Sequence, residues 1–257
     1  FFDSFDFRYG DYFLKRLSQG GYDFIRVEHN SSEIPCSYYD FELCEKKIYL
    51  PYENTICDAF SIVHETFHDT NLDPNNLTLT RSLFTEYISM FGEFLFENFL
   101  VDNYDIKCKL SNNYSFNACY IKALKVDFQL SLIKCYLDKG SINDFDFYSI
   151  LCHYDKDYRR YLYCIYLSII NSNDLNFDYE MGYLFGILLS CYSYDRFLNN
   201  DFDLDLFKFI NESINYLEAD AVYSYLDLDL INYDDLMLSN DSYDALSKSY
   251  VKIMNNR

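Results

Sequence analysis

The chain has 257 residues, of which 50% are hydrophobic and 24% charged, so it is long enough to bury a core and does not belong to the disordered class. Its net charge of −20 would repel a phosphate backbone, and no basic stripe with interleaved aromatic residues offsets that charge, so we predict no nucleic-acid partner. With only 7 Gly and 3 Pro to interrupt regular structure, the composition favours long helices.

Cysteine usage and hydropathy predict a cytoplasmic protein that does not enter the membrane. The 9 cysteines include no C-x-x-C pair, and we expect them to be reduced and mostly buried. The most apolar segment, YLYCIYLSII at 161–170, is too short to span a bilayer, and we predict a core helix there. The chain begins Phe-Phe-Asp rather than Met, which is consistent with a fragment of a longer protein.

Apolar residues recur mostly at spacings of three and four, which predicts helices along most of the chain. The predicted helices cover 9–18, Thr55 or Cys57 to Asn71, 81–102, 117–139, 144–171, 178–193, 203–217 and 240–255. The segment KKIYLPY at 46–52 alternates polar and apolar side chains and contains Pro51, which predicts a short edge strand. No fixed-period repeat or Pro-rich linker divides the chain, so we predict one mainly α domain over residues 1–257.

The second predicted helix contains His64-Glu65-Thr66-Phe67-His68, an HExxH motif. With 4 His and 12 Glu in the chain, this pattern is expected roughly 0.003 times by chance. His64 and His68 are four residues apart and stand on one helix face, so both imidazoles can reach one zinc ion. Glu65 is turned by roughly 100° around the helix axis, where its carboxylate can act as the base toward a zinc-activated water.

A catalytic zinc keeps three protein ligands and one open position, so a third ligand must come from outside the motif. Glu86 is the first choice because residues 71–80 allow the next helix to fold back antiparallel and present a carboxylate to the two histidines. His29 and His153 are the alternatives. Glu93, two turns after Glu86, is a candidate to orient an imidazole by a hydrogen bond.

The segment from KKIYLPYENTICDAFSIVHETFH to SLFTEYISMFGEFLFENFL resembles the thimet oligopeptidase and oligoendopeptidase F family of zinc peptidases. In that family a strand and a loop lead into HExGHxxH, and a helix of the form AExxSxxNE supplies the third zinc ligand. The resemblance implies that Glu86 is this ligand. It also aligns Ser89 with the Ser of the family pattern and Glu93 with its closing Glu.

Further along the chain, FDYEMGYLFG at 177–186 is similar to the family's FYxYxYATG segment. This similarity implies that Tyr179 and Tyr183 line the substrate cleft and help to hold the oxyanion of the tetrahedral intermediate. The chain departs from the family pattern at two places beside the motif. Phe67 replaces the Gly of HExGH, and Asn71 stands where the family has an additional His.

These features predict a mainly α, zincin-type metallopeptidase catalytic domain with a small β element before the HExxH helix. The fragment would lack the helical lobe that covers the cleft in the family. We expect a zinc-dependent endopeptidase that hydrolyses short peptides, with Zn2+ as cofactor and with Glu65, Tyr179 and Tyr183 as catalytic residues. The alternative is a catalytically inactive binding or scaffold protein with a structural zinc, and a zinc hydrolase of a non-peptide amide is a third hypothesis.

Overall fold

The fold is known from a computed structural model, which describes residues 1–28, 33–73, 75, 79–106, 116–172, 177–232 and 237–255. Within those ranges, the backbone alone is described at 79–83, 116–118, 171–172, 177–180, 230–232 and 237. The chain forms two compact units. Unit 1 comprises Phe1–Ser111 and Phe185–Arg257, and unit 2 comprises Asn112–Leu184. The single domain expected over residues 1–257 stays a prediction.

The described chain is mainly α, which confirms this part of the predicted fold class. The described helices are α1 (Phe2–Phe5), α2 (Phe7–Ser18), α3 (Ile56–Asn71), α4 (Leu79–Tyr104), α5 (Phe116–Lys139), α6 (Asp144–Cys152), α7 (Lys156–Ser172), α8 (Phe177–Leu198), α9 (Leu204–Ser213), α10 (Ala219–Tyr225) and α11 (Asn240–Asn255). The described strands are β1 (Tyr22–Arg26), β2 (Cys36–Asp40), β3 (Glu45–Tyr52), β4 (Leu230–Asn232) and β5 (Met237–Leu238). In the part of the chain that the structure describes, no helix combines the length and apolarity that crossing a membrane requires.

The helix predicted over 144–171 is in fact two helices, α6 and α7. The Asp155 carboxylate accepts a hydrogen bond from the backbone N–H of Asp157 at 3.1 Å, so it caps a new helix N-terminus. The apolar segment 161–170 lies in α7 and contributes to a core, as predicted, but only through part of its surface. Leu162 is fully buried in the unit 2 core, whereas large apolar side chains on the opposite side of α7 are exposed.

The predicted strand at 46–52 is present, but its predicted edge position is wrong. It lies in β3, the central strand of a three-stranded sheet with the order β1-β3-β2. β1 runs parallel to β3, and β2 runs antiparallel to it. The pairing with β2 reaches only to Tyr49, so among the described strands Pro51 is paired with β1 alone. The missing N–H of Pro51 therefore removes no hydrogen bond on the β2 side of the strand.

The sheet and α3 share a small buried core in unit 1. Tyr22, Ile48 and Leu50 come from β1 and β3, and they pack with Phe13 of α2 and Ile62 of α3. These contacts remove apolar surface from water and hold one face of α3 on the sheet. The HExxH motif therefore lies on a helix that packs against one face of the sheet.

Phe67, the residue in place of the family's Gly, is fully buried in unit 1. Its ring contacts four aromatic rings with centroid distances between 5.6 and 6.2 Å, namely those of Phe2, Phe5, Tyr9 and Phe207. Gly92 of α4 faces the same ring, and a Cβ at this position would lie less than 3.0 Å from two ring carbons of Phe67. The chain thus accommodates a large side chain inside the motif because the neighbouring helix has none at the point of contact.

The expectation that the cysteines are mostly buried is wrong for the described residues. Eight cysteines are described and all are free thiols, but five of them are exposed and only two are buried. The exposed thiols lie on β2, in the turn after it, at the start of α3 and on α6 and α7. A thiol is small and only weakly polar, so its exposure costs little free energy and composition alone does not predict its burial.

Candidate metal centre

Helix α3, which carries the motif, begins at a capping box. The Asp58 carboxylate accepts hydrogen bonds from the backbone N–H groups of Thr55 at 2.6 Å and of Glu53 at 3.2 Å. These bonds satisfy donors that the helical pattern leaves without a partner at its N-terminus. The start predicted near Thr55 or Cys57 is therefore confirmed, and it places His64 in the third turn of α3.

The last turn of α3 is anchored through Asp69, which is fully buried. Its carboxylate accepts hydrogen bonds from the Tyr12 hydroxyl at 2.7 Å and from Arg16 Nε at 2.8 Å, both on α2. Lys46 of β3 donates to the Asp69 carbonyl oxygen at 2.9 Å. Burial and the charge of Asp69 raise the pKa of the Tyr12 hydroxyl, which stays protonated and donates. No local pattern in the sequence indicates this anchor, because Tyr12 and Arg16 are more than 50 residues away from Asp69 along the chain.

Two histidines of α3 and one carboxylate of α4 converge on a common point. The Nε2 atoms of His64 and His68 are 2.9 Å apart. Glu86 places Oε2 3.5 Å from His64 Nε2 and Oε1 3.6 Å from His68 Nε2. In a tetrahedral zinc site with bonds of about 2.0–2.1 Å, neighbouring ligand atoms are separated by about 3.3 Å. The three distances lie on both sides of that value, so this donor set fits a zinc ion.

The other nitrogen of each imidazole has a partner on α4. His64 Nδ1 lies 2.5 Å from Glu93 Oε1, and His68 Nδ1 lies 3.0 Å from Ser89 Oγ. The Ser89 hydroxyl donates to the Thr85 carbonyl oxygen at 3.2 Å, so it accepts the proton of His68 Nδ1. Both rings therefore carry a proton on Nδ1, which turns both Nε2 atoms toward the point of convergence.

The two imidazoles differ in charge without a metal. Burial lowers the pKa of His64, but its contacts with the Glu86 and Glu93 carboxylates outweigh burial and hold that pKa well above its usual range. Burial also acts on His68, where it prevails over the attraction of Glu86 and lowers the pKa. The opposite shifts of the two pKa values favour a proton on His64 over one on His68, so His64 is the donor in the contact between the two Nε2 atoms.

A second carboxylate, that of Glu65, also lies beside the histidines. One ligand atom from each of His64, Glu65 and His68 lies within 4.8 Å of the others, so this triad too could hold a metal ion. The two carboxylates differ in what they contact. Glu65 Oε2 accepts a hydrogen bond from Ser37 of β2 at 2.9 Å, whereas the two oxygens of Glu86 point to one imidazole each.

Helix α8 supports the backbone of α4 at the position of Glu86. A Cβ at Gly186 of α8 would lie 2.7 Å from Glu86 Cβ and 3.0 Å from the backbone nitrogen of Tyr87. Ser190 donates to the Tyr87 carbonyl oxygen at 3.0 Å, and the Tyr87 hydroxyl lies 3.0 Å from Ser193 Oγ. None of these α8 residues was among the predicted site residues, although an isolated Gly inside a helical pattern often marks such a close approach.

The structure brings together six of the eight predicted site residues, which are His64, Glu65, His68, Glu86, Ser89 and Glu93. Tyr179 lies in α8, and its side chain is outside the described residues. Tyr183 belongs to unit 2, where Lys122 Nζ lies 4.4 Å from its ring centroid. The catalytic roles of both tyrosines stay predictions. Of the two alternative ligands, His29 lies outside the described residues, and His153 is exposed at the C-terminal end of α6 in unit 2.

No protein-family model, curated protein or solved structure matches this chain significantly. The resemblance to the oligopeptidase family therefore stays a prediction, which rests on the motif residues alone. The candidate metal centre is defined by the distances above and does not depend on that resemblance.

Proposed function

We propose that the chain is the catalytic domain of a zincin-type, zinc-dependent endopeptidase that hydrolyses short peptides. The observation that carries this proposal is the convergence of His64 Nε2, His68 Nε2 and the Glu86 carboxylate on one point, with mutual distances of 2.9, 3.5 and 3.6 Å. Two imidazoles and one carboxylate are a donor set of catalytic rather than structural zinc sites, which usually have four protein ligands.

Glu86 is assigned as the third ligand and Glu65 as the base. Glu86 is buried and its two oxygens contact both imidazoles, so it completes the donor set from the side of α4. Glu65 is the residue next to His64, and its carboxylate accepts a hydrogen bond from Ser37 of the sheet at 2.9 Å. A carboxylate that is retained in this way stands beside the metal ligands and can serve as an acceptor of protons.

Zinc bound by these side chains would polarise a water molecule and lower its pKa, so that it attacks a peptide carbonyl near neutral pH. Glu65 accepts the proton that the water loses and returns it to the amine that leaves. Glu93 and Ser89 keep the imidazoles of His64 and His68 oriented throughout, because each holds a proton at Nδ1.

The position of β2 supports a peptide as the substrate. Among the described strands, β2 has β3 as its one hydrogen-bonded neighbour, so its other edge offers backbone N–H and C=O groups. An extended peptide can add to such an edge by main-chain hydrogen bonds. Ser37 of this strand contacts Glu65, and a peptide paired along β2 would therefore lie beside the base.

The first test is a measurement of bound zinc together with hydrolysis of a library of internally quenched peptides. We expect about one zinc ion per chain, loss of hydrolysis after chelation and recovery when zinc is added. Glu86→Ala should reduce zinc affinity by more than the roughly 10–100-fold that is typical of residues that only orient a ligand. Zinc affinity that is unchanged in this variant would contradict the assignment of Glu86 as a ligand.

The second test concerns the base. Glu65→Gln should retain zinc and reduce kcat by about 100- to 10,000-fold, which is the usual contribution of a general base. Glu42→Gln is the matched control, because it makes the same change at an exposed carboxylate in the turn before β3. If the wild-type chain binds zinc tightly and hydrolyses no peptide in the library, the peptidase proposal is wrong and the alternative of a structural zinc replaces it.

A further inference from the structure

Ser37 lies on the face of the sheet that is covered by α3. It is paired with Ile48 in the register of β2 and β3, and Ile48 is fully buried in the core under α3. The Ser37 hydroxyl oxygen lies 2.9 Å from Glu65 Oε2 and 2.8 Å from the Glu65 carbonyl oxygen. Glu65 itself is 5% exposed and Ser37 is half-buried, so the contact is partly shielded from solvent. A hydrogen bond to a charged group is stronger in such an environment than in water.

The Ser37 hydroxyl has one proton to donate, and two acceptor atoms of Glu65 lie within reach of it, namely Oε2 and the carbonyl oxygen. Donation to Oε2 holds the Glu65 carboxylate in one orientation. The hydroxyl can also turn to the Glu65 carbonyl oxygen, which lies at nearly the same distance, 2.8 Å. A change of donor direction then requires rotation of one bond in Ser37 and no movement of the strand.

The base and the metal ligands are held by different elements. The imidazoles of His64 and His68 are oriented by Glu93 and Ser89, both on α4. Among the described residues, Ser37 of the sheet is the one side chain that donates a hydrogen bond to the Glu65 carboxylate. Removal of its hydroxyl should therefore release the base and leave the metal ligands in place.

We propose that Ser37 is a positioning residue that holds the Glu65 carboxylate in the orientation for proton transfer. This inference rests on the peptidase function proposed above. Ser37 acts through Glu65 and contacts neither the metal ligands nor the reacting atoms. It also links the strand that would bind the peptide to the side chain that acts on it.

The test compares Ser37→Ala, Ser37→Thr and the wild-type chain, all loaded with zinc. We expect Ser37→Ala to lower kcat by roughly 10–100-fold, the usual effect of losing a residue that orients a functional group. KM and zinc affinity should each stay within about twofold, because neither peptide pairing nor the ligands involve this hydroxyl. Ser37→Thr keeps the hydroxyl and should restore most of kcat.

Two further variants make the comparison specific. Ser18→Ala removes a hydroxyl that donates to the Lys15 carbonyl oxygen at the exposed end of α2, and it should leave kcat unchanged. Ser37→Cys retains a side chain of similar size that donates only weak hydrogen bonds, so it tests the hydrogen bond without the loss of packing that Ser37→Ala causes. We expect Ser37→Cys to lower kcat as much as Ser37→Ala does. Wild-type kcat in Ser37→Ala or Ser37→Cys would overturn the inference, as would a loss in Ser37→Ala that is explained by lost zinc.

Crystal structures of the zinc-loaded wild type and of Ser37→Ala separate this inference from the proposed function. If the wild type hydrolyses no peptide, the proposed peptidase function is refuted. The two crystal structures still test whether Ser37 positions the Glu65 carboxylate. A displaced or multiply oriented Glu65 carboxylate in Ser37→Ala supports the role. A Glu65 carboxylate in the wild-type position overturns it, whatever the activity of the wild type.

Discussion

Gly92→Ala tests whether the contact between Phe67 and α4 sets the distance between the two helices of the metal centre. The added Cβ would lie less than 3.0 Å from two carbons of the Phe67 ring. Carbon atoms in contact are normally about 3.5–4.0 Å apart, so ring and helix must separate by at least roughly 1 Å. The ring has little room to turn away, because the rings of Phe2, Phe5 and Phe207 also contact it.

Two opposing terms determine the size of the effect. Overpacking a buried site lowers the free energy of unfolding by about 1–3 kcal/mol, whereas replacing Gly by Ala inside a helix raises it by about 1 kcal/mol. The enclosed Phe67 ring favours the upper part of the first range, so we expect Gly92→Ala to lower the free energy of unfolding by about 1–2 kcal/mol. For a chain of this size, that change corresponds to a decrease in Tm of roughly 2–8 °C.

Thermal unfolding of the metal-free protein, followed by circular dichroism, measures this decrease. The same variant should bind zinc more weakly in a competition with a chromophoric chelator, because Glu86 on α4 moves away from His64 and His68. In the background of Phe67→Leu, which removes the ring, Gly92→Ala should cost less or even stabilise the protein. A higher Tm for Gly92→Ala in the wild-type background, as helix propensity alone would give, refutes the close packing described here.

Three other predictions concern the centre and its anchors. Carboxylate contacts outweigh burial and raise the pKa of His64 above 6.5, so zinc binding at pH 7 should release about one proton. The affinity for zinc should increase with pH until that pKa is passed. Calorimetry in buffers of different ionisation heat measures the proton release, and no release would contradict a charged His64. Gly186→Ala should lower zinc affinity by roughly 10–100-fold in chelator competition, because the new Cβ displaces Glu86, and an unchanged affinity would show that α8 does not fix this ligand. Arg16→Met should lower the free energy of unfolding, measured by urea denaturation, by roughly 3 kcal/mol, because it removes the ion-pair partner of the buried Asp69 carboxylate. A loss below about 1 kcal/mol would refute the role of this ion pair as an anchor of α3.

Local sequence determines the elements that carry the metal centre. The spacing of His64 and His68 is one helical turn, and this alone puts both imidazoles on one face of α3. Asp58 at the third position of α3 determines where the helix begins, since its carboxylate caps the preceding backbone. Glu86 and Glu93 also share one face of a helix, which is why a carboxylate pair facing the histidines could be predicted from sequence.

Residues that are distant in sequence decided the remainder of the centre. Ser37 comes from a strand that the periodicity analysis did not find, because β2 is five residues long and its side chains are only partly buried. Gly186 and Asp69 act through close approach and buried hydrogen bonds to partners far along the chain, and no local pattern identifies those partners. Phe67 was a departure from a family pattern in the sequence, and only its contact with Gly92 showed why the departure is tolerated.

The HExxH motif by itself thus specified two imidazoles, one carboxylate and the helix that carries them, because a helical period is a local property of the backbone. Tertiary packing decided the distance between that helix and Glu86, the hydrogen bonds that orient each imidazole and the strand that contacts Glu65. Packing depends on the shapes of side chains brought together from separate parts of the chain, such as a ring on α3 and a glycine on α4.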